Sequence, residues 1–136
     1  MKIHPKLFVI LLATGLLSAC STEDVTKENR LPDSQEEQQA YLEEQLAAIT
    51  ELAESVTCQD ADQWSFTPLG SKACGGPSSY IAYSHSIDVS EFLLKVASYT
   101  TATAAYNRQW SIASDCAITP APSSVICESG KAVLTF

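Results

Sequence analysis

Apolar residues recur at helical spacing in two long stretches of this chain and at strand spacing in several short ones. Leu42, Leu46, Ile49, Ala53 and Val56 step by four and three, which puts them on one stripe of a helix. Glu36, Glu37, Glu43, Glu44, Glu51 and Glu54 fall on the opposite side. Ser34 with Glu37 has the spacing of a capping box, and Pro32 stands just ahead, so this helix is predicted to start near Ser34. A helix so divided lies on a core. About three heptads is the lower limit for a coiled coil, which leaves a partner helix as the weaker alternative.

A second helix is predicted from Asp88. Asp88 and Glu91 repeat the capping-box spacing, and Ile87 and Phe92 are placed as a hydrophobic staple. Val89, Phe92, Leu93, Val96, Thr100, Thr103, Asn107 and Trp110 share one face, while Leu94, Ala97, Ala102 and Ala105 keep the other rather apolar. A helix apolar on most sides is expected at the centre of its domain. The first helix is then expected on one flank and the C-terminal region on another.

The C-terminal residues read as a hairpin: a strand at Ser124-Val125-Ile126-Cys127, a turn at Glu128-Ser129-Gly130, and a second strand from Lys131 to Phe136. Residues 57–87 are irregular, with turns at Pro68, Gly70, Gly75, Gly76 and Pro77. Within them Trp64 and Phe66 alternate with polar residues, as in a short extended segment, and Tyr80-Ile81-Ala82-Tyr83 is a second candidate. So long an irregular stretch implies a function or a covalent staple. The fold expected for residues 34–136 is a small α+β domain, mostly helical, with two long amphipathic helices, a C-terminal β-hairpin and two disulfides. No internal repeat is evident, and residues 21–33 are polar enough to be a tether.

The N-terminus is organised differently. Lys2 and Lys6 precede an apolar run from Leu7 to Leu17, which is shorter than the ~20 residues of a membrane-spanning helix. Charge, apolar run and small residues, in that order, are the pattern of an export signal over residues 1–19. The run ends in Leu17-Ser18-Ala19-Cys20, which resembles the bacterial lipobox. That resemblance implies a diacylglyceryl group on the Cys20 sulfur, cleavage before Cys20 and acylation of the new amine. Residues 20–33 would then be the lipidated N-terminus and acidic tether. Ser21, where Asp would signal inner-membrane retention, implies the outer membrane of a Gram-negative envelope. Each buried acyl CH₂ contributes ~0.8 kcal/mol, so two or three chains anchor a protein stably.

Loss of residues 1–19 would remove Lys2 and Lys6 and no acid, moving the net charge from −8 to −10. Such an acidic chain excludes nucleic acid as a partner and disfavours adsorption on anionic lipid. The acid is concentrated: 12 of the 16 carboxylates lie between Glu23 and Asp62, against Lys27 and Arg30. A solvated, self-repelling spacer accounts for this more simply than an acidic docking face for a basic partner.

Apart from Cys20, the chain has Cys58, Cys74, Cys116 and Cys127. An even number in a small exported domain reads as two disulfides. Of the three pairings, Cys58–Cys74 with Cys116–Cys127 is preferred, since each closes a local loop on one side of the second helix; the runner-up crosses between the two regions. No Cys-x-x-Cys occurs and His85 is the single histidine after residue 20, so neither zinc nor redox chemistry is indicated, and no metal or cofactor is expected.

His85 has Ser84, Ser86 and Asp88 nearby, but adjacent loop residues rarely form a triad and no Gly-x-Ser-x-Gly elbow accompanies them. Cys74-Gly75-Gly76-Pro77 lacks the lysine of a phosphate-binding loop. Asp60 and Asp62 lack the rest of a calcium-binding loop. Trp64, Phe66, Tyr80, Tyr83 and His85, interleaved with serines, have the composition of a contact surface, and the tyrosines suit a packed core equally well. The function expected is a lipid-anchored, non-catalytic binding module, an inhibitor or adaptor, docking an envelope or extracellular protein through residues 64–85. The alternative is an assembly lipoprotein that associates through its acidic first helix.

Overall fold

A computed structural model describes residues 32–136. Cys20, the export signal at 1–19 and most of the tether at 20–33 lie outside the described residues. Two helices, α1 (Gln35–Ala53) and α2 (Val89–Gln109), accompany two antiparallel hairpins, β1–β2 (Trp64–Leu69 and Ser79–Ser84) and β3–β4 (Ser124–Glu128 and Lys131–Thr135). The fold is α+β as expected, but not mostly helical. The helices hold 19 and 21 residues, less than half of the described chain, because residues 57–87 form a paired hairpin.

Both predicted N-caps are present. Ser34 Oγ accepts from the Glu37 N–H at 3.2 Å, and Asp88 Oδ1 accepts from the Glu91 N–H at 2.9 Å, each satisfying a donor that the first turn leaves free. Helix α1 stops at Ala53, so Val56 lies beyond the helix whose stripe it was expected to extend. There Ser55 turns its N–H and its hydroxyl onto the Leu52 carbonyl, closing the last turn.

The helices run antiparallel. Gln35 near the start of α1 reaches Tyr106 near the end of α2, and Ile49 meets Phe92 at the other end. Ile49, Ala53, Phe92 and Val96 form the core with Leu69 of β1, and Ile81 and Tyr83 of β2 pack against it. In the β1–β2 register, Ser65, Thr67 and Leu69 share a face with Tyr83, Ile81 and Ser79, and this face meets the helices. The opposite face carries Trp64, Phe66 and Pro68 with Ser84, Ala82 and Tyr80. It looks toward the second hairpin, whose Val125, Ala132 and Leu134 line cavities shared with Trp64.

Hairpin β1–β2 is therefore the middle layer, with helices on one side and β3–β4 on the other. This corrects the expectation that α2 is central and flanked by the C-terminal region. Leu94 on the outer face of α2 is 71% exposed, so that face is open to solvent there.

The disulfides also differ from the preferred pairing. Cys58 bonds Cys127 and Cys74 bonds Cys116, with sequence separations of 69 and 42. Both cross between the regions that a local pairing keeps apart. The β3–β4 turn returns to the end of α1, where the Cys58 N–H donates to the Gly130 carbonyl at 2.8 Å. The segment after α2 returns along the β1–β2 loop, held by Lys72 to Asp115 at 2.6 Å and by Thr119 Oγ1 to the Pro77 carbonyl at 2.8 Å.

Candidate functional site

The residues singled out from the sequence do not form one patch. Trp64 is buried, 8% exposed, and its remaining surface lines the two cavities beside the second hairpin. Tyr83 lies with its ring 5.1 Å from that of Phe92, so it belongs largely to the interior. Phe66 and Tyr80 are half-buried and meet edge to face at 6.1 Å. His85 is exposed at the end of the ladder. The alternation of side chains along a strand separates these rings: Tyr83 points to the helices, while Trp64, Phe66 and Tyr80 point to the second hairpin.

Two cavities, each of about 490 Å³, flank that second hairpin. The first lies between the end of α1 (Thr50, Ala53, Glu54), strand β2 (Tyr80, Ile81, Ala82) and the turn and strand from Ser129 to Leu134. Its size falls in the range of ligand-binding clefts. The Cys58–Cys127 bond and the Cys58–Gly130 backbone bond hold the turn in place beside the helix end. Glu54 and Lys131, both exposed, are the charged groups at its rim.

The second cavity is lined by Asp62, Trp64, Ser65, Phe66, His85 and Val125, among others. Here Ser65 Oγ and His85 Nε2 share a hydrogen bond of 2.8 Å. The serine that reaches His85 thus comes from the neighbouring strand, a juxtaposition that chain spacing does not reveal. Ser84 is buried and accepts from the Ser86 N–H, and Asp88 caps α2, so neither completes a triad. Asp60 accepts from the Asp62 N–H to cap the single 3-10 turn at Ala61–Gln63. No group of three metal-ligating side chains occurs among the described residues.

The first cavity is the better candidate for recognition. It is lined by apolar side chains such as Ile81 and Leu134 together with polar ones such as Thr50 and Thr57, and it is braced covalently. The sequence pointed to its Trp64 and Tyr80 but not to Thr50, Glu54 or Leu134, whose convergence depends on the fold. No protein family, no characterised protein and no solved structure matches this chain.

Proposed function

We propose that this chain is an exported lipoprotein, anchored at the outer membrane through lipid on Cys20, whose folded domain is a non-catalytic module for binding another envelope or extracellular protein. The lipobox-like Leu17-Ser18-Ala19-Cys20 supports the anchor, and two disulfides suit an oxidising compartment. The single observation that supports binding is the braced cleft between the end of α1, β2 and β4, open at the surface and lined by Tyr80, Ile81 and Leu134.

Assembly through α1 has less support. Leu42, Ile49 and Ala53 are buried in the domain itself, so the outer side of α1 presents carboxylates and no apolar seam. Packed helix partners need such a seam.

The test is site-specific photocrosslinking in intact cells. A photoreactive residue at Lys131, on the cleft rim, is expected to give a discrete adduct that the same residue at Leu94, on the outer face of α2, does not. Equal labelling from both positions would overturn the cleft as the docking site. Mass spectrometry of the N-terminus purified from native membranes is expected to show acylated Cys20, and an unmodified N-terminus would overturn the anchor.

A further inference from the structure

The β1–β2 ladder has a parity that can be read from one proline. In an antiparallel pair, facing residues alternate between those that exchange backbone hydrogen bonds and those whose N–H and C=O point away from the partner strand. Pro68 faces Tyr80 and has no N–H to give, so this pair is of the second kind. Phe66–Ala82 and Trp64–Ser84 share its parity. One step further, the His85 N–H donates to the Gln63 carbonyl at 2.8 Å, as the alternation requires. Tyr80 and Ala82 therefore direct their N–H and C=O groups outward, away from β1.

The two outer edges of this hairpin differ. On β1 an outward position is Pro68, which supplies no donor and blunts that edge against further pairing. Strand β2 contains no proline. The first cavity runs along β2, because it touches the consecutive residues Tyr80, Ile81 and Ala82. Neighbours on a strand point to opposite faces, so a space that meets all three borders the edge.

Strand β4 stands across this cavity with the same character. Ser129 and Gly130 have φ of 50° and 80°, the two left-handed residues of a tight hairpin turn. The flanking Glu128 and Lys131 then exchange hydrogen bonds, and the alternate residues Ala132 and Leu134 turn their backbone groups outward. Both line the cavity.

Charge gives the space a direction. The end of α1 closes one side, and α1 carries no Lys or Arg in any of its turns. Glu54 therefore adds to the negative end of the helix dipole and favours a cation on that side, while Lys131 at the turn is the rim's own cation.

Together these features assign an occupant, and we infer that the cleft takes, by strand addition, an extended polypeptide segment that bears a Lys or Arg at the α1 end. This inference rests on the binding module proposed above and specifies its mode. The segment's backbone would pair with the outward groups of Tyr80 and Ala82, and a Lys or Arg side chain would lie at the end of α1 beside Glu54. Backbone pairing of this kind supplies affinity, and the pockets beside it supply specificity.

The test uses the full-length protein and a synthetic hexapeptide of alternating lysine and valine. Binding is expected to slow amide exchange at Tyr80 and Ala82 by ~10-fold or more, with little change at Ile81, whose N–H already faces β1. The same peptide N-methylated at alternate residues is expected not to bind. Ala82→Pro removes an outward donor and leaves the β1–β2 ladder intact, as Pro68 does on the other strand, so it is expected to fold and to bind the peptide ~10-fold more weakly or worse. Glu54→Lys, a surface change that leaves the ladder untouched, is expected to weaken binding and reduce its salt dependence.

Undiminished binding to folded Ala82→Pro, or to the N-methylated peptide, would overturn strand addition. If Leu134→Asp then abolished binding, the cleft would remain a docking site that reads side chains, so the two proposals fail separately. Protection of Tyr80 and Ala82 before any peptide is added, lost on deletion of residues 20–31, would overturn an external partner in favour of the chain's own segment.

Discussion

Trp110 at the end of α2 donates its indole N–H to Gln38 Oε1 of α1 at 3.1 Å, across 72 residues of sequence. Gln38 is 1% exposed, and its amide nitrogen donates to the Pro32 carbonyl at 2.6 Å and to Gln109 Oε1 at 3.3 Å. One buried side chain thus joins the entry of α1 to the exit of α2. Gln38→Leu would leave the indole N–H and the Pro32 carbonyl without this partner. The expected loss is ~1–3 kcal/mol, measured by urea denaturation. Trp110→Phe strands the Gln38 carbonyl instead, and the double variant should lose less than the sum of the two, since both act on one network.

The two disulfides should differ in reactivity. Cys58 is 3% exposed, whereas Cys74 and Cys116 are both exposed. A thiolate must reach a sulfur to attack it, so mild reductant under native conditions should open Cys74–Cys116 first. Alkylation and peptide mapping should find Cys74 and Cys116 labelled while Cys58 and Cys127 remain joined. On the chain-entropy relation each closes a loop long enough to contribute ~4 kcal/mol, so Cys58→Ser with Cys127→Ser should lower the unfolding midpoint sharply. Early labelling of Cys58 would contradict this order.

These cross-links also mark where legibility ended. The stripe of Leu42, Ile49 and Ala53 and the caps at Ser34 and Asp88 could be read because their partners lie within a few residues. The tail hairpin could be read because Ser129-Gly130 is a two-residue turn. Hairpin β1–β2 could be seen only as two fragments, because a loop over residues 70–78 separates the strands and hides their register. That hidden register is what brings Ser65 to His85 and sets Trp64 and Tyr83 on opposite faces. Gln38 did leave a trace, since it stands four residues before Leu42 and continues the buried stripe as a polar residue. The disulfides crossed between regions because the chain returns past α2 along both loops, a matter of topology that spacing alone does not encode.

Acid should act on one exposed tie between these loops. The Lys72 hydrogen bond, then the Ala117 N–H and the Lys72 charge, hold the Asp115 carboxyl below the ordinary carboxylate value. The folded value is depressed, so the tie stabilises above the unfolded pKa and is lost as pH falls through the folded one, below the usual Asp range. Solvent screens so exposed a pair, and its effect on global stability should be small. Carbon-13 NMR of the Asp115 carboxyl should give a midpoint below 3.8, and Lys72→Ala should return it upward. A midpoint unmoved by Lys72→Ala would remove Lys72 as the cause.

The β3–β4 turn offers a change that stabilises and one that does the reverse. Ser129 holds φ of 50°, a left-handed conformation that costs most residues ~1–2 kcal/mol, and Asn is tolerated there better than Ser. Ser129→Asn should therefore raise stability by ~0.5–1 kcal/mol, a part of that cost, read as a higher Tm. Gly130 has φ of 80°, and a methyl group there would stand 3.2 Å from Thr57 Cγ2. Gly130→Ala must strain the backbone and push the turn off the segment that bears Cys58, at a cost of ~1–3 kcal/mol. Because that turn is a wall of the first cavity, Gly130→Ala should also weaken peptide binding, while Gly75→Ala, strained likewise at φ of 95° but with open space around it, should destabilise without touching the cleft. Equal effects of the two glycine variants on binding would separate the turn from recognition.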